Sequence, residues 1–595
     1  MPRPDGAFLD VEQSLSGRSW RERLTLAQHG QAERMERDFG LAPVIARVLA
    51  ARGVAAEEGA AFLQPTLKGL MPDPSTLTDM DAAAERLAHA IRRRERVAIF
   101  GDYDVDGAAS SALLARFLTH HGVPHEIYIP DRIFEGYGPN PAAIAELAGR
   151  GAGLLVCVDC GSTSFEALEA AVAHGLDALV IDHHQTNAEL PPARALVNPN
   201  RQDDLSGLGH LCAAGVVFMV LVAVQRALRG NGVADRPVDL LSHLDLVALA
   251  TVCDVVPLQG LNRAFVRRGL ERMRNGGVGG LGALSRVARQ DGPTQAWHLG
   301  FLLGPRINAG GRIGDAALGA RLLTTADAAE AEAIAATLDR LNGERQAIER
   351  VMLEDAMAQA DAEVGSGEGP PVLVVSGEEW HPGVVGLLAS RLKERFDRPA
   401  FAIAVGADGV GTGSGRSVPG VDLGRAVREA VASGLLTKGG GHAMAAGLTV
   451  GREGMASLRA HLERSLSAAV ATHRENRALK VDAALSARGA TLELFKQLEA
   501  AGPYGSGHAQ PVFAFPRHVL TDVATVGQGH VRFSAAARDG GRIAGIAFRQ
   551  ADTELGQAML EGRGETFHLA GTLSADHWRG SKRLQLRLTD AARAA

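Results

Sequence analysis

Three alternate aspartates follow a short apolar segment near residue 100. The segment Val97–Phe100 predicts a buried strand, and the loop Gly101–Gly107 after it has the sequence GDYDVDG. Its acids are Asp102, Asp104 and Asp106. Neighbouring carboxylates repel one another unless a cation lies between them, so the loop predicts a divalent-cation site; the plainer alternative is a solvated turn with an N-capping aspartate. An EF-hand does not fit, because a strand precedes the loop and its twelfth position is Leu113.

Two further apolar segments end in residues of similar chemistry. Asp159 follows the predicted strand Leu154–Val158, and the triplet Asp182-His183-His184 follows the predicted strand Ala178–Ile181. The carboxyl ends of parallel strands meet at one edge of a sheet, so we expect these side chains to gather there. Mixed oxygen and nitrogen ligands suit manganese or magnesium better than structural zinc. Asp254, at a predicted helix end, is a candidate fourth acid, although its spacing fits a simple cap equally well.

The elements that must position these residues alternate between helix and strand. Continuous apolar strands separated by helices predict a parallel sheet covered on both faces. An Ala-, Glu- and Arg-rich stretch then predicts a long connecting helix, a second α/β unit opens at Val372–Val375, and short strands after about residue 474 predict a small β-barrel. The predicted organisation is an N-terminal segment (1–75), an α/β lobe (76–325), a connecting helix (326–366), a second α/β lobe (367–470) and a barrel (471–595).

Composition excludes several classes of protein. A chain of 595 residues and 62.3 kDa is too long for one hydrophobic core. Its 46% hydrophobic and 22% charged residues are the proportions of a globular chain and argue against disorder and membrane spanning. Its longest apolar run, Leu211–Val224, is shorter than the ~20 residues of a membrane-spanning helix. The four cysteines form no disulfide framework and no leader peptide is visible, which favours the cytoplasm.

Positive charge concentrates near the carboxyl end of a chain whose net charge is −6. Residues 476–595 contain 15 Lys and Arg against 11 Asp and Glu. The densest group is Trp578, Arg579, Lys582, Arg583 and Arg587. Cationic and aromatic side chains together grip single-stranded nucleic acid; the alternative is ordinary solvated charge beside a core tryptophan.

Several motifs together resemble the DHH phosphoesterase superfamily, which is named for the triplet at 182–184. The other matching segments are GPRINAGGR (304–312), EEWHPGVVG (378–386), SGRS (414–417), GGGHAMAAG (439–447) and PYGSG (503–507). The resemblance extends over roughly residues 75–590 and is strongest to the bacterial single-strand-specific exonucleases of the superfamily. It implies a DHH lobe, a DHHA1-type substrate lobe and a C-terminal OB-type barrel.

The resemblance also implies two divalent cations, Mn²⁺ or Mg²⁺, and assigns residues to them. The implied ligands are Asp104, Asp106, Asp159, His183 and Asp254, with Asp159 as the bridge. Asp102 completes the first motif, while Asp182 and His184 support the site or contact the reacting phosphate. The implied substrate contacts are Arg132, Arg306, Arg312, Ser414, Arg416, Gly440, Gly441 and His442. Two alternatives stay open: the glycine run could be only a turn needing positive φ, and Arg306 and Arg312 could instead tie the two lobes together.

The activity implied is hydrolysis of single-stranded DNA from its 5′ end to 5′-mononucleotides, in repair and recombination. The implied partners are the DNA strand, single-strand-binding protein and recombination helicases. One alternative is a DHH enzyme for short oligonucleotides, cyclic dinucleotides or pyrophosphate, which needs only the two lobes. Another is a strand-binding module without catalysis, which the full set of acids argues against.

Overall fold

The computed structural model describes residues 6–131, 135–230, 237–274, 279–365, 367–578 and 581–594. The chain divides into two compact units. The barrel unit comprises Met1–Leu70, Pro257–Ala264 and Arg477–Ala595, and the two-lobe unit comprises Met71–Val256 and Phe265–Asn476. No helix in the described part of the chain is long and apolar enough to cross a membrane.

The N-terminal residues form short elements of the barrel unit. They are β1 (Trp20–Glu22), α1 (Leu26–Phe39), α2 (Pro43–Ala50), α3 (Gly59–Leu63) and α4 (Leu67–Leu70). Thr25 and Gln28 form a reciprocal capping box at the start of α1, which satisfies amides that have no partner within the helix. Helix α2 has Pro43 in its first turn, where proline costs no hydrogen bond, and its apolar face is buried.

The first lobe is a parallel sheet flanked by helices. Its elements are α5 (Met80–Arg93), β2 (Val97–Gly101), α6 (Val105–His120), β3 (His125–Tyr128), α7 (Pro141–Gly149), β4 (Leu154–Val158), α8 (Phe165–Ala173), β5 (Asp177–Ile181), β6 (Ala195–Val197), α9 (Ala213–Gly230), α10 (Leu244–Cys253), α11 (Gly260–Arg274), α12 (Gly280–Val287), α13 (Ala296–His298), α14 (Gly304–Ile313) and α15 (Leu318–Thr324). The strand order is β3-β2-β4-β5-β6, and every pairing is parallel. The predicted parallel sheet is therefore confirmed.

The register of this sheet aligns the ends of its central strands. Gly101 pairs with Val158, and Val158 pairs with Ile181. The residue after each of these is an aspartate, so the three strand exits deliver three carboxylates to one edge of the sheet. Apolar side chains bury β2 and β4 completely, which fixes those ends in place.

The predicted connecting helix is α16 (Ala328–Val364), which spans about 55 Å at 1.5 Å per residue. The second lobe follows it. Its elements are β7 (Leu373–Gly377), α17 (Val385–Phe396), β8 (Ala400–Val405), β9 (Val410–Arg416), α18 (Leu423–Ala432), β10 (Lys438–His442), β11 (Ala445–Gly451) and α19 (Met455–Glu475). Its sheet has the order β10-β11-β9-β8-β7; β7 and β8 are parallel and the other neighbours are antiparallel.

The C-terminal residues form the predicted barrel. Its elements are β12 (Leu479–Val481), β13 (Ala483–Ala484), α20 (Leu492–Ala501), β14 (Phe513–Val526), β15 (His530–Ala537), β16 (Arg542–Ala547), α21 (Glu554–Glu561), β17 (Thr566–Trp578) and β18 (Ser581–Arg593). The order β14-β15-β16-β18-β17 closes because β14 also pairs with β17. The N-terminal β1 adds to this unit by pairing with β12, and the buried Trp20 donates its indole N–H to Asp590 at 3.0 Å.

Candidate metal and phosphate site

The loop after β2 is shaped by its own aspartates. Asp104 is the N-cap of α6, and its Oδ1 accepts hydrogen bonds from the backbone N–H groups of Asp106 (2.9 Å) and Gly107 (3.1 Å). A Cβ at Gly107 would clash with the Asp102 carbonyl oxygen, so only glycine permits this tight return. The capping role that was the plainer sequence interpretation is thus real for Asp104. It leaves the second carboxylate oxygen of Asp104 for other partners.

Asp106 connects the first motif to a distant helix. Its side chain is 1% exposed, and its two carboxylate oxygens accept hydrogen bonds from the backbone N–H groups of Ala213 (2.7 Å) and Ala214 (2.8 Å). These amides begin α9, whose preceding residue, Cys212, has no side-chain oxygen to cap the helix. Asp106 is therefore anchored by the positive end of α9.

Asp159 leaves β4 in a strained conformation. Its φ is +61°, a left-handed value that costs free energy in a residue other than glycine. Its backbone is held on both sides, because its N–H donates to the Ile181 carbonyl at 3.0 Å and its carbonyl accepts from the Tyr137 hydroxyl at 3.1 Å. The strain directs a 2% exposed side chain to the same edge as the other acids.

The Asp182-His183-His184 triplet is organised by its aspartate. Asp182 Oδ1 accepts from the backbone N–H groups of both histidines and lies 2.8 Å from His184 Nδ1, while Oδ2 accepts from the Ser162 N–H at 3.1 Å. Burial works against the Asp182 carboxylate, but the hydrogen bond from His184 and the charges of both histidines hold its pKa well below the usual range. Burial likewise opposes the charged form of His184, yet its bond to Asp182 raises the pKa of His184 to about 9.

His183 points into the acids. Its Nε2 lies 3.4 Å from Asp159 Oδ1, 3.6 Å from Asp254 Oδ2 and 3.7 Å from Asp106 Oδ2. Three groups of side chains could each hold a metal ion, because within each group the possible ligand atoms lie within 4.8 Å of one another. The groups are Asp102, Asp104 and Asp159; Asp106, His183 and Asp254; and Asp159, His183 and His184. Asp254, left open by the sequence, lies in the group as the C-cap of α10.

The electrostatics of this cluster call for a cation. Burial first, and then the negative charge of Asp106, raise the pKa of both Asp159 and Asp254 well above the ordinary carboxyl range. Asp159 Oδ1 and His183 Nε2 are buried and accept or donate no hydrogen bond among the described residues. Buried polar atoms without partners are rare, and a divalent ion would satisfy both of them while neutralising the carboxylates. The residues therefore fit the implied metal ions.

Residues that the sequence did not single out support the triplet from β6. Asn198, fully buried, donates to the Ser162 hydroxyl (2.9 Å) and to the His184 carbonyl (2.8 Å). Asn200 donates to the His183 carbonyl. The available signal was Asn-Pro-Asn at the exit of a fourth parallel strand, the position that carries the acids elsewhere in the sheet.

In the second lobe, the predicted phosphate contacts lie on two strands, β9 and β10, that β11 separates. Ser414 and Arg416 are on β9, where the Arg416 guanidinium donates to the Ser414 hydroxyl at 2.8 Å. Gly440 is on the edge strand β10 and faces open space, with no atom within 4 Å of the position of a Cβ. Gly441 has φ +141°, a value that favours glycine, but it lies within β10 and not in a turn.

Two of the three arginines predicted to contact substrate, Arg306 and Arg312, bind groups of the protein itself. Arg306 is paired with Asp339 of α16 at 2.9 Å, and Arg312 donates to the Gly383 carbonyl of the second lobe at 3.0 Å. Arg312 therefore links the two lobes. Contact of Arg306 or Arg312 with a DNA strand remains a prediction. Arg132 lies outside the described residues.

Comparisons with known proteins agree with this architecture. Three family models match the chain: "DHH family, N-terminal domain" at residues 96–251, "DHHA1 domain" at 369–468 and "RecJ OB domain" at 481–590. The chain is 35% identical over 583 residues to the single-stranded-DNA-specific exonuclease RecJ of Salmonella typhimurium, which covers 95% of this chain and 99% of that protein. It is 33% identical over 514 residues to RecJ of Thermus thermophilus, covering 86% and 71%.

Solved structures give the same relationship. The crystal structure of RecJ in complex with Mn²⁺ from Thermus thermophilus matches with a TM-score of 0.78 and 30% identity, over 97% of this chain and 80% of that one. A crystal structure of exonuclease RecJ bound to manganese matches with a TM-score of 0.55 and 35% identity, over 66% and 95%. The chain belongs to the RecJ family of single-stranded-DNA-specific exonucleases, within the DHH superfamily.

Proposed function

We propose that this chain is a metal-dependent exonuclease that degrades single-stranded DNA from the 5′ end and releases 5′-mononucleotides, in DNA repair and recombination. The observation that carries the proposal is the cluster at three aligned strand exits, in which Asp159 Oδ1 and His183 Nε2 are buried and have no hydrogen-bond partner among the described residues. Membership of the RecJ family supplies the substrate class and the polarity.

The proposed ligands of two Mn²⁺ or Mg²⁺ ions are Asp104, Asp106, Asp159, His183 and Asp254. When bound, such ions ionise a water molecule and neutralise charge that develops on the phosphate oxygens. The protein holds the ligands by means of its own backbone: the α9 amides orient Asp106, and the α6 amides orient Asp104. Asp102 is the proposed additional acid of the first motif.

Asp182 and His184 have a supporting role in this proposal. The Asp182 carboxylate accepts hydrogen bonds from within the triplet and from Ser162, so it fixes the direction of the histidine segment. Although burial opposes the charged imidazole, the hydrogen bond to Asp182 raises the pKa of His184 and favours its protonated form. A positive imidazole at this edge is suited to contact the reacting phosphate.

The second lobe and the barrel would hold the strand. Ser414 and Arg416, with Arg132, are the proposed 5′-phosphate pocket, and Gly440, Gly441 and His442 the proposed contact to a neighbouring phosphate. The domain boundaries predicted from the sequence are part of this proposal. Single-strand-binding protein, recombination helicases and a cytoplasmic location are proposed on family membership, with the free cysteines in keeping with a reducing compartment.

The test uses the full chain and its Asp159→Ala variant with Mn²⁺ and an internally labelled, 5′-phosphorylated single strand. The same strand in a blunt duplex and with a blocked 3′ end is run in parallel. We expect mononucleotides from the free and 3′-blocked strands, none from the duplex, and none with the variant. Cleavage of only dinucleotides or cyclic dinucleotides would instead assign the chain to the small-substrate enzymes of the superfamily.

A further inference from the structure

Helix α18 packs closely against the glycine-rich strand β10. A Cβ at Gly424 would lie 2.5 Å from the carbonyl oxygen of Gly441, so the helix backbone touches the strand. One turn later, Arg428 donates from Nη1 to the same carbonyl at 3.0 Å. These two contacts place the Arg428 guanidinium beside the segment that ends at His442.

Arg428 carries a positive charge at the surface of α18. Its side chain is exposed, and no carboxylate forms an ion pair with it among the described residues. Arg425, one turn earlier and also exposed, differs in this respect because it is paired with Glu429 at 2.8 Å. The sequence alone does not distinguish these two arginines.

The charge of Arg428 acts on His442, the last residue of β10. Partial burial, followed by the charges of His184 and Arg428, lowers the pKa of His442. The Arg428 guanidinium is therefore a fixed positive charge at the end of the glycine-rich strand β10, where a phosphate oxygen can accept hydrogen bonds from its remaining N–H groups.

We infer that Arg428 binds a backbone phosphate of the DNA strand and extends the contact made by the glycine run. The inference rests on the proposed function for its ligand. Strand β11 separates β10 from β9, so the strands that carry Gly441 and Arg416 lie about 10 Å apart. This separation assigns Arg428 a different phosphate from the 5′-terminal one.

The test measures binding without turnover. Fluorescence anisotropy of a labelled, 5′-phosphorylated single strand is recorded against salt concentration, using the full chain with Asp159→Ala. One lost phosphate contact on a single strand reduces the slope of log K against log salt by about 0.7. We expect this reduction and a several-fold loss of affinity for Arg428→Ala, and neither for the matched variant Arg425→Ala.

The variant Arg428→Gln distinguishes DNA binding by Arg428 from structural support of β10. Its amide N–H can still donate to the Gly441 carbonyl, but it has no charge. A reduced slope with Arg428→Gln supports the phosphate contact, whereas a wild-type slope would mean that Arg428 only holds Gly441 and would overturn the inference. An equal loss with Arg425→Ala would overturn it too. If unmodified protein with Mn²⁺ fails to degrade the strand while the Arg428-dependent slope persists, the proposed function fails and the inference stands.

Discussion

The carboxylate of Asp106 accepts a 2.7 Å hydrogen bond from the backbone N–H of Ala213, a residue 107 positions further along the chain. The second oxygen is bound in the same way by Ala214. One acid therefore belongs both to the proposed metal site and to the start of α9. Asp254, whose Oδ2 lies 3.6 Å from His183 Nε2, accepts no comparable hydrogen bond from a backbone amide in the described part of the chain.

This difference predicts that Asp106→Asn and Asp254→Asn both abolish activity but differ in their effect on the stability of the fold. Asp106→Asn replaces one acceptor oxygen by an amide donor that faces a backbone N–H, so we expect loss of turnover and a destabilisation of about 2 kcal/mol. Asp254→Asn removes only a charge from a crowded acidic cluster, so we expect loss of turnover with equal or higher metal-free stability. Exonuclease assays and thermal unfolding in EDTA measure both. Equal destabilisation by the two variants would contradict the assignment.

Divalent cations should stabilise the two-lobe unit. A ligand at 100 times its Kd adds about 2.7 kcal/mol to the free energy of unfolding, so saturating Mn²⁺ should raise the melting temperature by a few degrees. The increase should be small in His183→Ala and Asp254→Asn, because each removes a proposed ligand. Calorimetry with Mn²⁺ and with EDTA measures it, with Arg425→Ala as the unaffected control. A full increase in His183→Ala would argue that the ion binds elsewhere.

The sequence predicted those site residues whose positions follow directly from neighbouring apolar segments. Apolar runs located β2, β4 and β5, and the parallel-sheet rule then brought Asp102, Asp159 and Asp182 to one edge. The partner of Asp106 was not predictable in this way, because only the tertiary arrangement brings Ala213 beside it. The same applies to β1, whose pairing with β12 joins segments more than 400 residues apart in the chain.

His508 makes the barrel unit sensitive to acid. It is 2% exposed, stacked on Tyr504 and close to the Ala501 carbonyl (2.9 Å from Nε2), and burial lowers its pKa to about 4. Between pH 6.5 and 4 the unfolded chain binds a proton that the folded chain excludes, so stability falls as the pH falls, by about 3 kcal/mol. It levels off below pH 4.

Hydrogen exchange of peptides from β14, followed by mass spectrometry across this pH range, reports on the barrel unit alone. His508→Gln keeps an N–H donor and does not titrate, so its stability should depend less steeply on pH. Some slope should persist, because burial also lowers the pKa of His518 in the same unit. An unchanged slope in His508→Gln would remove His508 from this account.

The proposed 5′-phosphate pocket predicts that Arg416 controls a preference for 5′-phosphorylated over 5′-hydroxyl DNA strands. Arg416 is held by the Ser414 hydroxyl, so its guanidinium is already oriented for a phosphate. Arg416→Ala should lower kcat/KM for a 5′-phosphorylated strand by about tenfold or more and affect a 5′-hydroxyl strand much less. Steady-state kinetics on the two substrates give the ratio. A wild-type ratio in the variant would place the 5′ end at another site.

The outer face of the barrel unit should bind the DNA strand. Arg532 and Arg587 flank Ile546 across β15, β16 and β18, and the Arg587 guanidinium lies 5.7 Å from the ring of Phe548. Phe548 is 47% exposed, an arrangement suited to stacking a base beside a phosphate contact.

Phe548→Ala should therefore weaken binding of a long single strand by about 1–3 kcal/mol, with dinucleotide hydrolysis unchanged, because a dinucleotide is too short to reach a second subsite. Phe39, 43% exposed in the same unit, offers a matched control in Phe39→Ala. Anisotropy with oligonucleotides of increasing length measures the effect, which should appear only above a threshold length. A loss shared by both phenylalanine variants, or present already for the dinucleotide, would mean that the barrel face does not bind the strand, and the positive charge of this unit would need another ligand.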